Sequence, residues 1–313
     1  MALGGSAAKG LGAARDRENS AKPPALGRLS LAEANSVLGH LWDQDVLAWD
    51  RYWVPIFRLF AKDLVKDASL RPGDVVLDVG TGTGVVAFEA SRVVRSVGLV
   101  AGIDRSEPMI ALARKKAVET GFGNLRFLKM AAESLRFPDE FFDIAISNCG
   151  IGIPTFIDDM KEILRVLRPG GVFVFNDWHL IDVEPHRVFG EVLGKYRARN
   201  PSPQLAQERS ALAAIESFHH SINSEAQMRM VSDAGFREVQ LKTREYRVRM
   251  RSPEDYLDMR LCRATIKREI SEMLPNQRKL FLAELKERLH KFSQRRAFVF
   301  SWGVFFIRAQ KAV

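Results

Sequence analysis

The stretch "VVLDVGTGTGVVAFEA", Val75–Ala90, decides the fold. Its first five residues are apolar except for Asp78, as expected of a strand buried on both faces. Gly80, Gly82 and Gly84 follow at alternate positions, and the chain resumes as "VVAFEASRVV", a helix. A strand that turns into a helix through closely spaced glycines brings bare backbone to a ligand without Cβ interference. In open α/β sheets that turn lies in the crevice outside the carboxyl ends of the strands, where ligands bind. A dinucleotide fingerprint, G-x-G-x-x-G, would place its third glycine at Val85. Here it comes one residue early, at Gly84, and an acid, Asp78, precedes the turn. Both features point away from a nicotinamide dinucleotide.

The pattern repeats on the C-terminal side. "VGLVAGID" reads as a strand ending at Asp104, and "EPMIALARKKAVET" as a helix with Pro108 in its first turn and Gly121 just past its end. "LRFLKM" and "FDIAISN" are strands, "FIDDMKEILRVL" is a helix closed by Arg168-Pro169-Gly170-Gly171, and "VFVFND" is another strand. Strand–helix alternation with short connections predicts a parallel sheet covered on both faces. On the N-terminal side, residues 31–69 carry apolar and aromatic residues near the 3.6 period, with a break at Pro55. After residue 181 helical segments run to Ser232, interrupted at "NPSP". "AGFREVQLKTREYRVRM" becomes a strand, helices follow at 253–273 and 276–292, and "RRAFVFSWGVFFIRAQ" is a closing strand.

Taken together, residues 74–178 resemble the class I S-adenosylmethionine-dependent methyltransferases, in the group that contains the ubiquinone/menaquinone-biosynthesis C-methyltransferases. Four segments carry the resemblance in the family's order: "LDVGTGTG", "VAGIDRSEPMIALARKK", "ESLRFPDEFFDIAISN" and "EILRVLRPGGVFVF". The resemblance implies a Rossmann-like, seven-stranded, mostly parallel sheet with helices on both faces, and a helical cap from the N-terminal helix and C-terminal insertions. It implies a methyltransferase with S-adenosyl-L-methionine as cofactor. By position, Asp78, Gly80, Thr81, Gly82 and Gly84 build the cofactor turn, and Gly80, Thr81 and Gly82 would face its methionine part. Asp104 would accept from both ribose hydroxyls, and Arg105 and Met109 would lie near the adenine. Ala132 and Glu133 would flank the adenine edge, with Asn148 beside the sulfonium. Where the family commonly has Gly-Asp-Ala this chain has Met130-Ala131-Ala132, and Glu133 is expected to stand in for the missing acid. Likewise "WDQDVLAWD" carries Trp49 where a cofactor-contacting Tyr often stands, with Tyr52 expected to take over that contact.

Methyl transfer from a sulfonium is an in-line displacement, so positioning and desolvation matter most. A base is needed only if the acceptor loses a proton as it attacks. The candidates are Asp177 and His179 in "FNDWHL", just past the fifth strand; the alternatives are a helix cap and a surface loop histidine. Trp42, Trp49, Tyr52 and Trp53, with the helices after 181, would wall an acceptor pocket suited to a small, partly apolar molecule, although amphipathic packing explains these aromatics equally well. His219 and His220 are adjacent and diverge on a helix, so no metal site is expected.

The domain plan is a disordered tail at 1–30, an N-terminal helical lid at 31–70, the cofactor-binding core at 71–180, and cap insertions with the last two strands at 181–313. No apolar run approaches the length of a membrane span. Two cysteines, Cys149 and Cys262, lack metal or disulfide spacing, which suits a reducing cytoplasm. The formal net charge of +9 is uneven: residues 1–180 hold 22 basic and 22 acidic residues, and 181–313 hold 25 and 16. "LKTREYRVRMR" alternates apolar residues with Arg247, Arg249 and Arg251. That basic face is either solvated or meets an anionic substrate, a membrane surface or RNA. The absence of a nucleic-acid-binding module argues against RNA. A small-molecule acceptor is the first expectation, RNA or protein methylation the second, and a non-catalytic cofactor-binding scaffold the third.

Overall fold

A computed structural model of the chain describes residues 29–39, 43–44, 46–151, 155–178, 183–294 and 297–313, the side chains of 35 and 218–221 excepted. The Val75–Ala90 stretch forms strand β1 (Val75–Val79), the glycine turn and helix α4 (Val85–Val94). From Val76 on, β1 is buried throughout, as a central strand requires. β2 (Leu99–Asp104), β3 (Leu125–Lys129), β4 (Phe142–Asn148) and β5 (Leu167–Trp178) lie parallel to it. The remaining strands are antiparallel: β6 (Arg237–Met250) is the edge, and β8 (Ala297–Gln310) inserts between it and β5. The order is β3-β2-β1-β4-β5-β8-β6. This seven-strand path is the expected mostly parallel sheet, with one addition, a two-residue strand β7 (Ser293–Gln294) on β8. The Arg168–Gly171 turn opens β5, where the pairing with β4 shifts register between Phe142 and Ile144.

Apolar layers cover both faces of the sheet. One side buries Phe60 and Leu64 of α3 (Val54–Ala68) and the inner residues of α4 and α5 (Glu107–Thr120). The other buries Met160 and Ile163 of α6 (Phe156–Val166) and Val231 of α9 (Ser224–Asp233). Helix α5 starts as its sequence dictates, with the Ser106 hydroxyl accepting from the Met109 N–H, Pro108 in the first turn and Gly121 left-handed at the end.

Two helix boundaries differ from expectation. The segment 31–69 divides into α1 (Leu31–Gly39), α2 (Val46–Tyr52) and α3. The expected break at Pro55 is present: α2 ends at Tyr52 and α3 starts at Val54, with Pro55 in its first turn, where its missing N–H has no intrahelical acceptor to lose; the division between α1 and α2 is the one not expected. The segment 253–273 is likewise two helices, α10 (Pro253–Leu261) and α11 (Ala264–Ser271), parted at Cys262-Arg263. The other α-helices of the described residues are α7 (Glu184–Tyr196), α8 (Pro203–Ser221) and α12 (Pro275–Leu289). Helix α1 packs on α8, α10 on α2, and α11 on α8, which closes a cap over the glycine turn.

Candidate active site

The cap and the carboxyl ends of β1, β2, β4 and β5 enclose a cavity of about 450 Å³. Its floor is the glycine turn. Gly80 (φ +68°) packs so closely on Gly150 that a Cβ on Gly80 would lie 2.5 Å from the Gly150 Cα, and one on Gly150 would lie 2.6 Å from the Val79 carbonyl oxygen. Neither position admits a side chain. Gly82 (φ +53°) has nothing within 4 Å of where a Cβ would stand, so its backbone is presented bare to the cavity.

Asp104 ends β2 at the cavity wall. Its Oδ2 accepts the Gly82 N–H at 2.9 Å and its Oδ1 the Ser106 N–H at 2.9 Å. Each oxygen keeps acceptor capacity for a further hydroxyl. Burial raises the carboxyl above its ordinary value, and the two backbone N–H bonds oppose that rise.

Arg105, Met109, Ala132, Asn148 and Trp49 line the cavity, as do Gly80, Thr81 and Gly82. Asn148 is buried at 8% exposure, donates its amide to the Phe57 carbonyl at 3.1 Å and accepts from the Asn176 amide at 2.9 Å. Asn176 also accepts the Cys149 N–H at 2.9 Å, so β4, β5 and α3 are tied together at this point. Burial holds the Cys149 thiol well above its usual value, which leaves it neutral rather than nucleophilic.

Four expected cofactor residues do not reach the cavity wall. Asp78 is only 1% exposed and lies beneath the turn, accepting the Thr81 hydroxyl at 2.6 Å and the Ala87 N–H at 2.9 Å. Burial pushes its carboxyl up to about 7, and the neighbouring Asp104 adds to the rise. Gly84 starts α4 at φ +92°, with Phe88 and Phe127 packed where a Cβ would stand. Glu133 turns to the Arg105 guanidinium at 3.2 Å. The Tyr52 hydroxyl donates to Asp258 of α10 at 3.1 Å, so this ring joins the two cap helices instead of replacing a ring at the position of Trp49.

Asp177 lines the cavity at the end of β5. Its Oδ1 accepts the Trp178 N–H at 2.7 Å and its Oδ2 the Gln227 amide at 3.3 Å, and burial pushes it up to about 6. It caps no helix. His179 and Trp42 lie outside the described residues, as do the side chains of His219 and His220. Among the described residues no cluster of potential metal ligands occurs. Aromatic rings stack within each layer, Trp49 on Trp53 at 5.1 Å between centroids in the N-terminal helices and Trp178 on Trp302 at 4.9 Å on the sheet, and Trp53 meets Trp302 edge-on at 6.2 Å across them.

Three further groups at the site carry no clear signal in the sequence. Asp50 of α2 accepts the Thr83 hydroxyl at 2.5 Å and the Lys116 ammonium at 2.8 Å, bolting the cap onto the glycine turn. Asp159 is a buried carboxylate of α6 at the cavity wall; its place in the first turn of a strongly one-sided helix was the available signal. Arg263 and Thr265 line the cavity from the α10–α11 break, which no proline or glycine announces. The basic strand β6, by contrast, spends much of its charge internally. Arg244 forms a two-pronged pair with Asp67 of α3 at 2.6 and 2.9 Å, Arg247 donates to Gln294, and Arg251 pairs with Asp255.

A strand–glycine turn–helix floor, an acid at the end of β2 and a cap of later helices are the parts of a nucleoside-bearing cofactor site. A family model described as a methyltransferase domain matches residues 70–235, more than half of the chain. The chain belongs to the methyltransferase domain family. It is an S-adenosylmethionine-dependent methyltransferase of class I. The ubiquinone/menaquinone biosynthesis C-methyltransferase UbiE of Vibrio parahaemolyticus is 29% identical over 184 residues, covering 58% of this chain and 71% of that protein. The enzyme of the same name from Stutzerimonas stutzeri is 36% identical over a shorter 118 residues, 37% of this chain and 46% of that protein. Among solved structures, Haemonchus contortus phosphoethanolamine N-methyltransferase 2 in complex with S-adenosyl-L-methionine superposes with a TM-score of 0.53 at 17% identity. It covers 92% of this chain and 61% of that one, a likeness of fold. The cofactor of this methyltransferase is S-adenosyl-L-methionine, and the cradle fits it: bare backbone at Gly82, no room for a side chain at Gly80, and a carboxylate at Asp104 with acceptor capacity to spare. Among the described residues no helix of the methyltransferase is long and apolar enough to cross a membrane.

Proposed function

We propose that this methyltransferase alkylates a small, partly apolar acceptor held between the glycine turn and the helical cap, and that Asp177 is its general base. The observation that carries the reading is a half-buried carboxylate, Asp177, in the same cavity as Asp104 and the bare Gly82 backbone. When bound, S-adenosyl-L-methionine supplies an electrophilic methyl group on a sulfonium. Asp104 binds the ribose hydroxyls, with Gly82 and Ser106 fixing its carboxylate. Gly80, Thr81 and Gly82 meet the methionine part, Met109 and Ala132 flank the adenine, and Asn148 orients the reacting end.

Asp177 takes the acceptor's proton as the acceptor attacks. A carboxyl raised to about 6 is mostly ionised at neutral pH and still a stronger base than an ordinary aspartate. Trp49, Phe57 and Trp178 exclude water, which strengthens each electrostatic contact inside the cavity. The relatives named as quinone-biosynthesis C-methyltransferases support a small aromatic acceptor over a macromolecule. The internal pairing of Arg244 and Arg251 on and beside β6 supports the same choice.

The test is turnover with radiolabelled S-adenosyl-L-methionine on a panel of small phenols, quinols, amines and bulk RNA. Label in an extractable small molecule, lost in Asp177→Asn, is expected. Label found only in RNA or protein would contradict the reading.

A further inference from the structure

We propose that the cavity wall at the start of α11 is a receptor for an anionic group, a carboxylate or a phosphate, carried by the methyl acceptor itself. The inference deepens the small-acceptor reading and rests on it. Arg263 is the residue before α11, and no side chain caps that helix. Arg263, Ala264 and Thr265 all line the cavity. The first N–H groups of a helix have no acceptor within it. No bond from the Ala264 or Thr265 N–H to a group elsewhere occurs among the described residues. The Thr265 side chain is a second, independent pointer: it is 7% exposed, faces the cavity, and its hydroxyl has no hydrogen-bond partner among the described residues.

Basic groups outnumber acids around this wall. The Arg263 guanidinium makes no ion pair among the described residues, and burial together with the neighbouring Arg260 lowers it to about 10, still charged at neutral pH. Arg260 stacks over the Phe189 ring at 4.8 Å, and its buried Nε has no partner. His186 is driven well below its usual value by burial and by both arginines, so it carries no charge of its own. An acid, Glu216 of α8, acts on both arginines, more weakly than burial does. A cation placed at the positive end of a helix is repelled by it. Arg263 and uncapped N–H groups at one cavity wall, with Arg260 acting on Arg263 from behind it, therefore favour an anion there. A guanidinium beside backbone N–H groups and a hydroxyl matches the oxygens of a carboxylate or phosphate. Leu212 and Ile215 line the same cavity, so the anionic group would be attached to an apolar body.

The experiment titrates the full chain, saturated with S-adenosylhomocysteine, with phenyl phosphate, benzoate and the neutral benzyl alcohol by calorimetry. At least one anion should bind about tenfold or more tighter than the alcohol, roughly 1.4 kcal/mol. Arg263→Met should abolish that preference, Arg263→Lys retain part of it, and Thr265→Val weaken it without touching the alcohol. S-adenosylhomocysteine affinity of each variant reports its folding. Equal binding of anions and alcohol, or a preference that survives Arg263→Met, overturns the inference. So does loss of S-adenosylhomocysteine affinity in Arg263→Met with phenyl phosphate competing against it, since Arg263 would then hold the cofactor's own carboxylate. Failure of the wild type to bind S-adenosylhomocysteine would overturn the cofactor reading beneath, and the anion preference would still be read on the free protein.

Discussion

Gly80 and Gly150 meet backbone to backbone at the ends of β1 and β4, and a Cβ on Gly80 would approach the Gly150 Cα to 2.5 Å. The contact closes the cavity floor and sets the gap between the glycine turn and Asn148. Gly80→Ala must also adopt a left-handed conformation at φ +68°. Either glycine replaced by alanine should therefore lower stability by about 1–3 kcal/mol, as overpacking and backbone strain do. Thermal melts check this, and cofactor affinity should fall alongside.

Asp177 gives the reaction its pH dependence. Below about 6 the carboxyl is protonated and accepts nothing, so kcat/KM should rise with pH through about 6 and then level. Asp177→Asn should lower kcat by roughly 10²- to 10⁴-fold with little change in cofactor affinity. A flat pH profile from 5 to 8 in the wild type would remove Asp177 from the chemistry.

Asp78 should leave a mark on stability rather than on turnover. Its folded value, about 7, lies above the ordinary 3.8, so between those limits the folded protein holds a proton that the unfolded chain releases. Its contribution to stability is thus fully present below the unfolded value and is lost as pH rises toward 7. In Asp78→Asn the fall between pH 5 and pH 7.5 should shrink to the part that Asp177 and Asp104 contribute, which denaturant titrations at the two pH values would show.

Asp50 ties the cap to the turn through Thr83 and Lys116. Asp50→Ala should cost about 1–3 kcal/mol, since it removes charge-assisted bonds from a half-buried ammonium. It should also raise KM for S-adenosyl-L-methionine more than it lowers kcat. An unchanged KM would mean that the cap does not hold the cofactor.

Much of the fold was legible because its signals are local. A five-residue apolar strand, three glycines and a helix are contiguous, and Asp104 stands at a strand end that alternation alone marks. The rest depends on distant pairs. Nothing around Tyr52 announces that its hydroxyl reaches Asp258, 206 residues on. Glu133 reads in the sequence as a replacement acid, and its pairing with Arg105 at 3.2 Å is visible only in the structure. Asp78 and Gly84 belong to the turn that the sequence marks but lie on its inner side, where they hold the loop instead of lining the cavity. Arg263 was hidden inside an unbroken helical pattern, and its importance appears only when α8, α11 and the sheet close around one cavity.

Asp104 carries the central claim, because its carboxylate joins the Gly82 backbone to the cavity. Calorimetric titration with S-adenosylhomocysteine, wild type against Asp104→Asn, tests it most directly. Wild-type binding should be saturable and at least about tenfold tighter than that of the variant, consistent with loss of charge-assisted bonds worth about 1.5–3 kcal/mol. No binding to the wild type at millimolar ligand, or equal binding to both, would contradict it.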